Sequence, residues 1–140
     1  MKKFTFGPVP SRRLGFSLGI DIIPLKTCTY NCVYCQLFQT SKHTVIRQSF
    51  IDKELVLNDI KESIDKFSNI DYLTFSGSGE PTLNKDLGWL ISQVKKYSEI
   101  PVAVITNSSL LWMPDVIEDL KHADLVVPSV DCVTETIWQK

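Results

Sequence analysis

Short apolar runs alternate with amphipathic helical patterns along the chain. The runs are rich in β-branched and aromatic residues and are bounded by turn residues, which is typical of strands. Four such runs are found, at residues 17–23, 72–75, 102–106 and 125–128. Between them, apolar residues recur at spacings of three and four, as on one face of a helix. The sequence therefore predicts strands and helices in alternation.

Three helices are predicted between these strands. The first begins after Asp52, which suits an N-cap position. Its apolar face consists of Val56, Ile60, Ile64 and Phe67. The second helix has an apolar face made of Leu87, Leu90, Ile91 and Val94. A shorter third helix opens at Pro114, a residue favoured at the first helical position, and runs to Leu120.

This alternation indicates an α/β fold with a parallel sheet, since parallel strands need a crossover that a helix supplies. A further helical pattern begins at Thr134, shortly before the chain stops at Lys140. Four units cannot close an eight-stranded barrel, which needs roughly 250 residues. We therefore expect either a compact open sheet or the N-terminal portion of a larger domain, truncated in or before its fourth helix.

Polar residues follow each predicted strand. A cysteine-containing loop follows the first, and residues 76–82 (SGSGEPT), 106–109 (TNSS) and 129–131 (SVD) follow the others. Loops at the carboxyl ends of parallel strands open onto one face, where ligands bind. Turn and cap chemistry alone also explains Gly, Ser, Asn and Asp in such loops. Their coincidence with a cysteine loop favours a shared site.

Composition is that of a soluble globular protein, with 44% hydrophobic and 22% charged residues in 140. No apolar run approaches a membrane span and no signal-peptide pattern is found, so we expect a cytoplasmic protein without a membrane partner. The formal net charge is -1, yet residues 1–50 carry seven Lys and Arg against one Asp, a net +6. This segment suits an anionic cofactor or RNA, or else an ordinary solvated surface.

Three of the four cysteines, Cys28, Cys32 and Cys35, lie within the stretch CTYNCVYC. In a reducing compartment such a cluster favours metal ligands over disulfides. Structural zinc sites and electron-transfer iron–sulfur clusters close with four protein ligands, whereas three leave one metal position open for a small molecule. With His43 as a fourth ligand, a zinc-binding structural or interaction module is the alternative.

The stretch CTYNCVYC resembles the CxxxCxΦC loop of the radical S-adenosylmethionine (SAM) enzymes, with Tyr34 as the aromatic Φ. GSGEP resembles their Gly-Gly-Glu motif at the end of the second strand. The run from Phe6 to Gln36 is similar to a subgroup distantly related to the wyosine-type tRNA-modifying enzymes. The resemblance covers essentially all of residues 1–140 and implies the N-terminal part of a partial (β/α)6 barrel, similar to a TIM barrel, with about four strands present.

In this family the three cysteines would each hold one iron of a 4Fe-4S cluster, and the fourth iron would chelate the amino and carboxylate groups of SAM. One electron, supplied by an external donor, would cleave the sulfonium to methionine and a 5′-deoxyadenosyl radical. That radical abstracts hydrogen from a substrate. The resemblance therefore implies an oxidoreductase-type enzyme, although the activity of these 140 residues alone is a separate question.

The resemblance also implies contacts to SAM. Tyr34 would lie against the adenine, and Gly77, Gly79 and Glu80 beside the methionine amino group, since glycine allows close approach and a carboxylate accepts from an ammonium. Ser78 stands where the two-glycine form of the motif has glycine, which leaves a hydroxyl near the site.

Other residues in these loops have weaker assignments. Four fall where relatives hold the ribose or the methionine carboxylate: Asn107, Ser108, Ser129 and Asp131. Alternatively, Asn107 is a turn residue and Asp131 a helix cap. Cys132 is interpreted as a small buried residue rather than a fourth ligand.

Arg12 and Arg13 precede the first predicted strand. They either bind phosphate or carboxylate bidentately or brace the loops by pairing with Asp21 or Glu80. The substrate is not indicated, but the basic segment slightly favours an anionic substrate or RNA. Because part of a barrel exposes a strand edge and apolar helix faces, we also expect self-association or binding of a partner.

Overall fold

The computed structural model describes residues 3–24 and 44–129 with their side chains, and residues 27–28 and 42–43 by their backbone alone. Within these ranges the strands are β1 (Thr5–Ser11), β2 (Gly15–Ile20), β3 (Thr27–Cys28), β4 (Lys42–His43), β5 (Tyr72–Phe75), β6 (Val102–Thr106) and β7 (Leu125–Pro128). The helices are α1 (Lys53–Lys66), α2 (Leu87–Tyr97) and α3 (Pro114–Leu120), and Pro81–Leu83 forms a 3₁₀ turn.

The main sheet has the strand order β1-β2-β5-β6-β7. Strands β2, β5, β6 and β7 are parallel, and a helix lies between each consecutive pair along the chain. The α/β prediction is therefore confirmed as a mixed sheet that is mostly parallel. Strands β3 and β4 form a separate two-stranded parallel pair.

The edge strand β1 is missing from the sequence prediction. It pairs antiparallel with β2 and carries Pro8 and Pro10. Proline normally argues against a strand but is tolerated at a sheet edge, where its missing N–H leaves no ladder bond unmade. Because β2 forms a hairpin with β1, it begins at Gly15 rather than at residue 17. It ends at Ile20, three residues short of the predicted end.

The three helices form where the apolar spacing predicts them. Asp52 caps α1 by accepting a hydrogen bond from Glu54 N at 2.9 Å, and Pro114 is the first residue of α3. Most of the predicted apolar faces are buried: Val56, Ile60, Leu87, Leu90, Ile91 and Val94. Phe67 lies just beyond α1, as its C-cap. No helix within the described ranges is long and apolar enough to cross a membrane.

The helices lie side by side on one face of the sheet, with α2 in contact with both α1 and α3. Alternate strand residues pack against them and form the core with their apolar side chains: Leu18, Ile20, Leu73, Phe75, Val102 and Val104. Burial of one such side chain stabilises the fold by about 1.5–3 kcal/mol. This layer therefore fixes the positions of the strand ends.

The opposite face of the sheet carries small and polar residues on its central strands. The hydroxyls of Ser17 and Thr74 are hydrogen-bonded across β2 and β5 at 2.5 Å. The Phe6 ring lies over Gly19, where an added Cβ would be 2.0 Å from a ring carbon. Only glycine fits at that position, so β1 covers part of this face.

The start of β1 is anchored to α1 by Asp59. This carboxylate is 7% exposed and accepts hydrogen bonds from Lys3 Nζ at 2.8 Å, Phe4 N at 2.7 Å and Thr5 N at 3.0 Å. Burial raises the pKa of Asp59, but these hydrogen bonds outweigh burial and hold the pKa below its ordinary value. The ionised form of Asp59 therefore favours the folded chain.

Candidate functional site

The four parallel strands end at the same edge of the sheet, here called the carboxyl edge. Ile20 is the register partner of Phe75, and Phe75 is that of Val104, while Thr106 pairs with Pro128. The polar segments that follow the strands begin at this edge: Asp21, residues 76–80, residues 107–109 and Ser129. The fold thus brings together the loops that the sequence places after successive strands.

Glu80 is buried at the carboxyl edge, with 2% of its surface exposed. Its Oε1 accepts hydrogen bonds from Thr82 N at 3.2 Å, Thr82 Oγ1 at 2.9 Å and Thr106 Oγ1 at 2.7 Å. Its Oε2 accepts from Asn107 N at 2.7 Å. Glu80 therefore caps the 3₁₀ turn and links the loop after β5 to the loop after β6.

All four of these donors are uncharged. Within residues 3–24 and 44–129, Glu80 makes no ion pair with Lys or Arg. Removing a carboxylate from water is costly, and a nearby positive charge offsets that cost better than neutral donors do. Within the described part of the chain, neutral donors alone therefore hold the buried carboxylate of Glu80.

Asp21 links the end of β2 to the loop after β5. Its Oδ2 accepts from Ser78 N at 3.1 Å and also from Ser78 Oγ, while its Oδ1 accepts from Ile23 N at 3.3 Å. Gly77 has φ +120°, and an added Cβ there would lie 2.8 Å from Asp21 Cγ. The Ser78 hydroxyl, expected near the site, is thus directed to Asp21.

Asn107 adopts a turn role, which is one of its two predicted alternatives. Its Oδ1 accepts from Ser109 N at 3.1 Å and from Ser109 Oγ at 2.7 Å, the pattern of an Asx turn. The Ser108 hydroxyl donates to Ser129 O at 3.2 Å, which links the loop after β6 to the end of β7. A ligand role for Asn107, Ser108 or Ser129 stays a prediction.

The predicted cluster ligands lie largely outside the described side chains. The backbone of Cys28 belongs to β3, where its register partner is His43 of β4. Cys32, Cys35 and Tyr34 lie outside the described residues, as do Asp131, Cys132 and the helix predicted from Thr134. The segment that contains the cysteines follows β2, which ends at the carboxyl edge.

Arg12 and Arg13 do not lie at the carboxyl edge, which corrects one of the two predicted roles. They occupy the hairpin turn between β1 and β2, at the opposite end of the sheet, and both are exposed. Pairing with Asp21 or Glu80 is therefore wrong. The error follows from the missing β1 strand, because the hairpin reverses the chain before β2.

Arg47 is an organising residue that sequence reasoning misses. Its side chain is 7% exposed and donates to Thr82 O at 2.6 Å, Asn84 O at 3.2 Å, Asp115 Oδ2 at 2.7 Å and Asp119 Oδ2. The hydrogen bond from Arg47, together with its charge, holds the pKa of Asp115 below its ordinary value. Arg47 thereby attaches the segment after β4 to the 3₁₀ turn beside Glu80 and to α3.

Comparison with protein families gives the decisive observation. The family model described as Radical SAM superfamily matches residues 22–138, which include the cysteine stretch and the segments that follow β5, β6 and β7 at the carboxyl edge. The chain belongs to the radical SAM superfamily. The comparisons give no support to a zinc module built from Cys28, Cys32, Cys35 and His43.

Several proteins resemble this radical SAM chain over part of their length. The UPF0026 protein of Methanocaldococcus jannaschii is 49% identical over 137 residues, which are 96% of this chain and 42% of that protein. A Brachyspira hyodysenteriae protein named GTPase Obg is 50% identical over 129 residues, 92% of this chain and 19% of its own length. The GTP 3′,8-cyclase of Campylobacter jejuni subsp. doylei is 32% identical over 99 residues, which are 70% of this chain and 29% of the cyclase. This chain thus spans less than half of each relative.

Proposed function

We propose that this chain holds a 4Fe-4S cluster and SAM at the carboxyl edge, as the N-terminal part of a radical SAM enzyme. The proposal is carried by the combination of a three-cysteine loop after β2 with a buried carboxylate, Glu80, whose described partners are all uncharged. When bound, these cofactors supply a one-electron cleavage of SAM and a carbon radical for hydrogen abstraction. An external electron donor is part of the proposal.

The cysteine loop fits such a cluster by its chemistry. Thiolates are the usual ligands of iron–sulfur clusters, and three of them leave one iron for a ligand that is not protein. Spacings of three and two residues between Cys28, Cys32 and Cys35 allow one loop to supply the three thiolates. Membership of the superfamily supports the same donor set.

The loop after β5 would receive the methionine amino group of SAM. Glu80 supplies a buried negative charge whose described partners are uncharged, and an ammonium is a strong partner for a carboxylate. Gly77 and Gly79 would let the backbone come close to the ligand. At Gly77 the positive φ and the contact with Asp21 also require glycine, independently of a ligand.

The remaining contacts are proposed with less support from the described residues. Asn107 and Ser129 follow β6 and β7, which pair side by side, so one ligand could reach both for its ribose or carboxylate. Ser78 would act through Asp21, which accepts hydrogen bonds from its backbone N–H and its hydroxyl. The proposed roles of Tyr34 at the adenine and of Asp131 at the ribose or carboxylate rest on the resemblance alone.

We also infer that the sheet is the first part of a partial (β/α)6 barrel. The placement of all three described helices on one face supports this inference, because helices form the outer layer of such barrels. The small and polar residues on the other face would then line the interior.

An anionic substrate or RNA stays a proposal with reduced support. Two of the basic residues that suggest it are paired with carboxylates, Lys3 with Asp59 and Arg47 with Asp119. Arg12 and Arg13 lie at the end of the sheet opposite the carboxyl edge. The substrate of the cyclase relative, GTP by its name, is anionic, which is compatible with this class.

Anaerobic reconstitution with iron and sulfide tests the proposed function. The chain should turn brown, absorb broadly in the visible region and contain iron and sulfide. Addition of SAM should change the electron paramagnetic resonance spectrum of the reduced cluster, because SAM would bind to one of its irons. A colourless protein that contains one zinc and no iron after reconstitution would contradict the proposal.

A further inference from the structure

Asp21 joins two parts of the candidate site through hydrogen bonds to one carboxylate. One oxygen accepts from Ile23 N, at the start of the segment that leads to Cys28. The other oxygen accepts both from the backbone N–H and from the hydroxyl of Ser78. Hydrogen bonds to an ionised acceptor are roughly twice as strong as neutral ones. Asp21 therefore fixes the Gly77–Ser78 turn relative to the start of the cysteine segment.

Gly77 and Asp21 fit against each other sterically. The φ of +120° at Gly77 is a conformation that other residues rarely adopt. An added Cβ would also lie 2.9 Å from Asp21 Oδ2 and 3.0 Å from Asp21 Cβ. Asp21 therefore leaves no room for a side chain at residue 77, and its two hydrogen bonds to Ser78 oppose movement of the turn away from β2.

We propose that Asp21 and Ser78 are positioning residues that set the affinity of this chain for SAM. The inference rests on the proposed function, because it concerns the same turn, residues 77–79. A turn that must approach a ligand closely binds more tightly when its backbone is already ordered, since less entropy is lost on binding. Glycine at position 78 would leave the turn freer. The Ser78 hydroxyl instead connects the turn to Asp21.

Asp71 provides a matched control at the other end of the same strand pair. Its Oδ2 accepts from Phe16 N at 2.8 Å, and it packs against Gly15, whose φ is +63° and whose added Cβ would meet Asp71 Oδ2. Asp71 thus makes the same kind of contact as Asp21, but between the amino-terminal ends of β2 and β5, away from the proposed SAM site.

The first experiment measures amide hydrogen exchange by NMR in the chain without cofactors. Asp21→Asn should speed exchange of the Ser78 amide about tenfold, because a neutral amide oxygen accepts a weaker hydrogen bond than an ionised carboxylate does. Asp71→Asn should leave that amide unchanged. Equal exchange of the Ser78 amide in the parent chain and in Asp21→Asn overturns the proposal.

The second experiment measures the dissociation constant of SAM by equilibrium dialysis after cluster reconstitution. Asp21→Asn and Ser78→Ala should each weaken binding about tenfold, in line with the loss of hydrogen bonds to a charged group. Ser78→Thr, which keeps the hydroxyl, should retain affinity, and Asp71→Asn should match the parent. Iron content should be the same in all variants.

The positioning role and the proposed function fail in different ways. A parent chain that binds no cluster or no SAM contradicts the proposed function, and the effect on SAM affinity with it. A parent chain that binds SAM no more tightly than Asp21→Asn contradicts the positioning role alone. An equal loss of affinity in Asp71→Asn also overturns that role, because it would indicate general destabilisation.

Discussion

Replacing Arg47 with alanine should destabilise the chain strongly. The guanidinium is almost fully buried and donates to two backbone carbonyls, those of Thr82 and Asn84, and to the carboxylates of Asp115 and Asp119. Alanine removes all of these donors at once. The carbonyls and the sheltered carboxylate then lose their partner without gaining full access to water.

The magnitude follows from the exposure of each partner. Asp115 is 59% exposed, so its ion pair contributes little. Asp119 is 20% exposed, and the hydrogen bonds to the two carbonyls are part-buried. A hydrogen bond with a charged partner contributes about 1.5–3 kcal/mol. We expect a total loss of about 3–5 kcal/mol from the hydrogen bonds to the two carbonyls and to Asp119, out of a typical total stability of about 5–15 kcal/mol.

Urea denaturation followed by circular dichroism measures this loss as a change in the free energy of unfolding. The control is Lys121→Ala, which removes an exposed pair with Glu118 on the same helix layer and should cost about 0–1 kcal/mol. If Arg47→Ala costs no more than this control, the reasoning from burial is refuted. In a double-mutant cycle, Arg47→Ala and Asp119→Asn should also be non-additive, because the two residues interact directly.

Three further predictions concern the metal, the pH and the oligomeric state. Alanine at Cys28, Cys32 or Cys35 should abolish iron binding after reconstitution, whereas Cys132→Ala should not. Iron analysis measures both effects. Loss of iron in the Cys132 variant would contradict a cluster held by these three cysteines alone. The stabilisation from Asp59 is present above the pKa of about 3.9 in the unfolded chain and is lost as pH falls through the lower pKa of the folded chain. The free energy of unfolding, measured by urea titration, should therefore fall less on acidification in Asp59→Asn than in the parent chain. Light scattering with size-exclusion chromatography should show self-association, since β7 is an open edge of the described sheet; a monodisperse monomer would count against it.

Elements with a clear local pattern could be predicted from the sequence. The bounds of β5, β6 and β7 and the apolar faces of α1 and α2 follow from residue spacing, which reflects whether one or two faces of an element are buried. Strand β1 could not be predicted this way. Its prolines read as turn residues, and its place in the sheet depends on pairing with β2, which local spacing does not report.

In the candidate site too, some features follow from the sequence pattern and others depend on tertiary contacts. Which loops reach the carboxyl edge follows from the order of strands, so Glu80 and Asn107 were predictable as neighbours. The partners of Asp21 and Arg47 are set by tertiary contacts: Ser78 is 57 residues from Asp21, and Thr82 is 35 residues from Arg47. No sequence signal indicates either contact. The wrong position of Arg12 and Arg13 is a direct result of the missing β1 hairpin.

The links along the carboxyl edge bear on how such sequences can recombine. Asp21 connects the first loop to the second, Glu80 the second to the third, and Ser108 the third to the end of β7. A chimera that took a single loop from a homologue would separate a donor from its acceptor. Grafts between relatives should therefore succeed only when both members of a pair, such as Asp21 with Ser78, are inherited together.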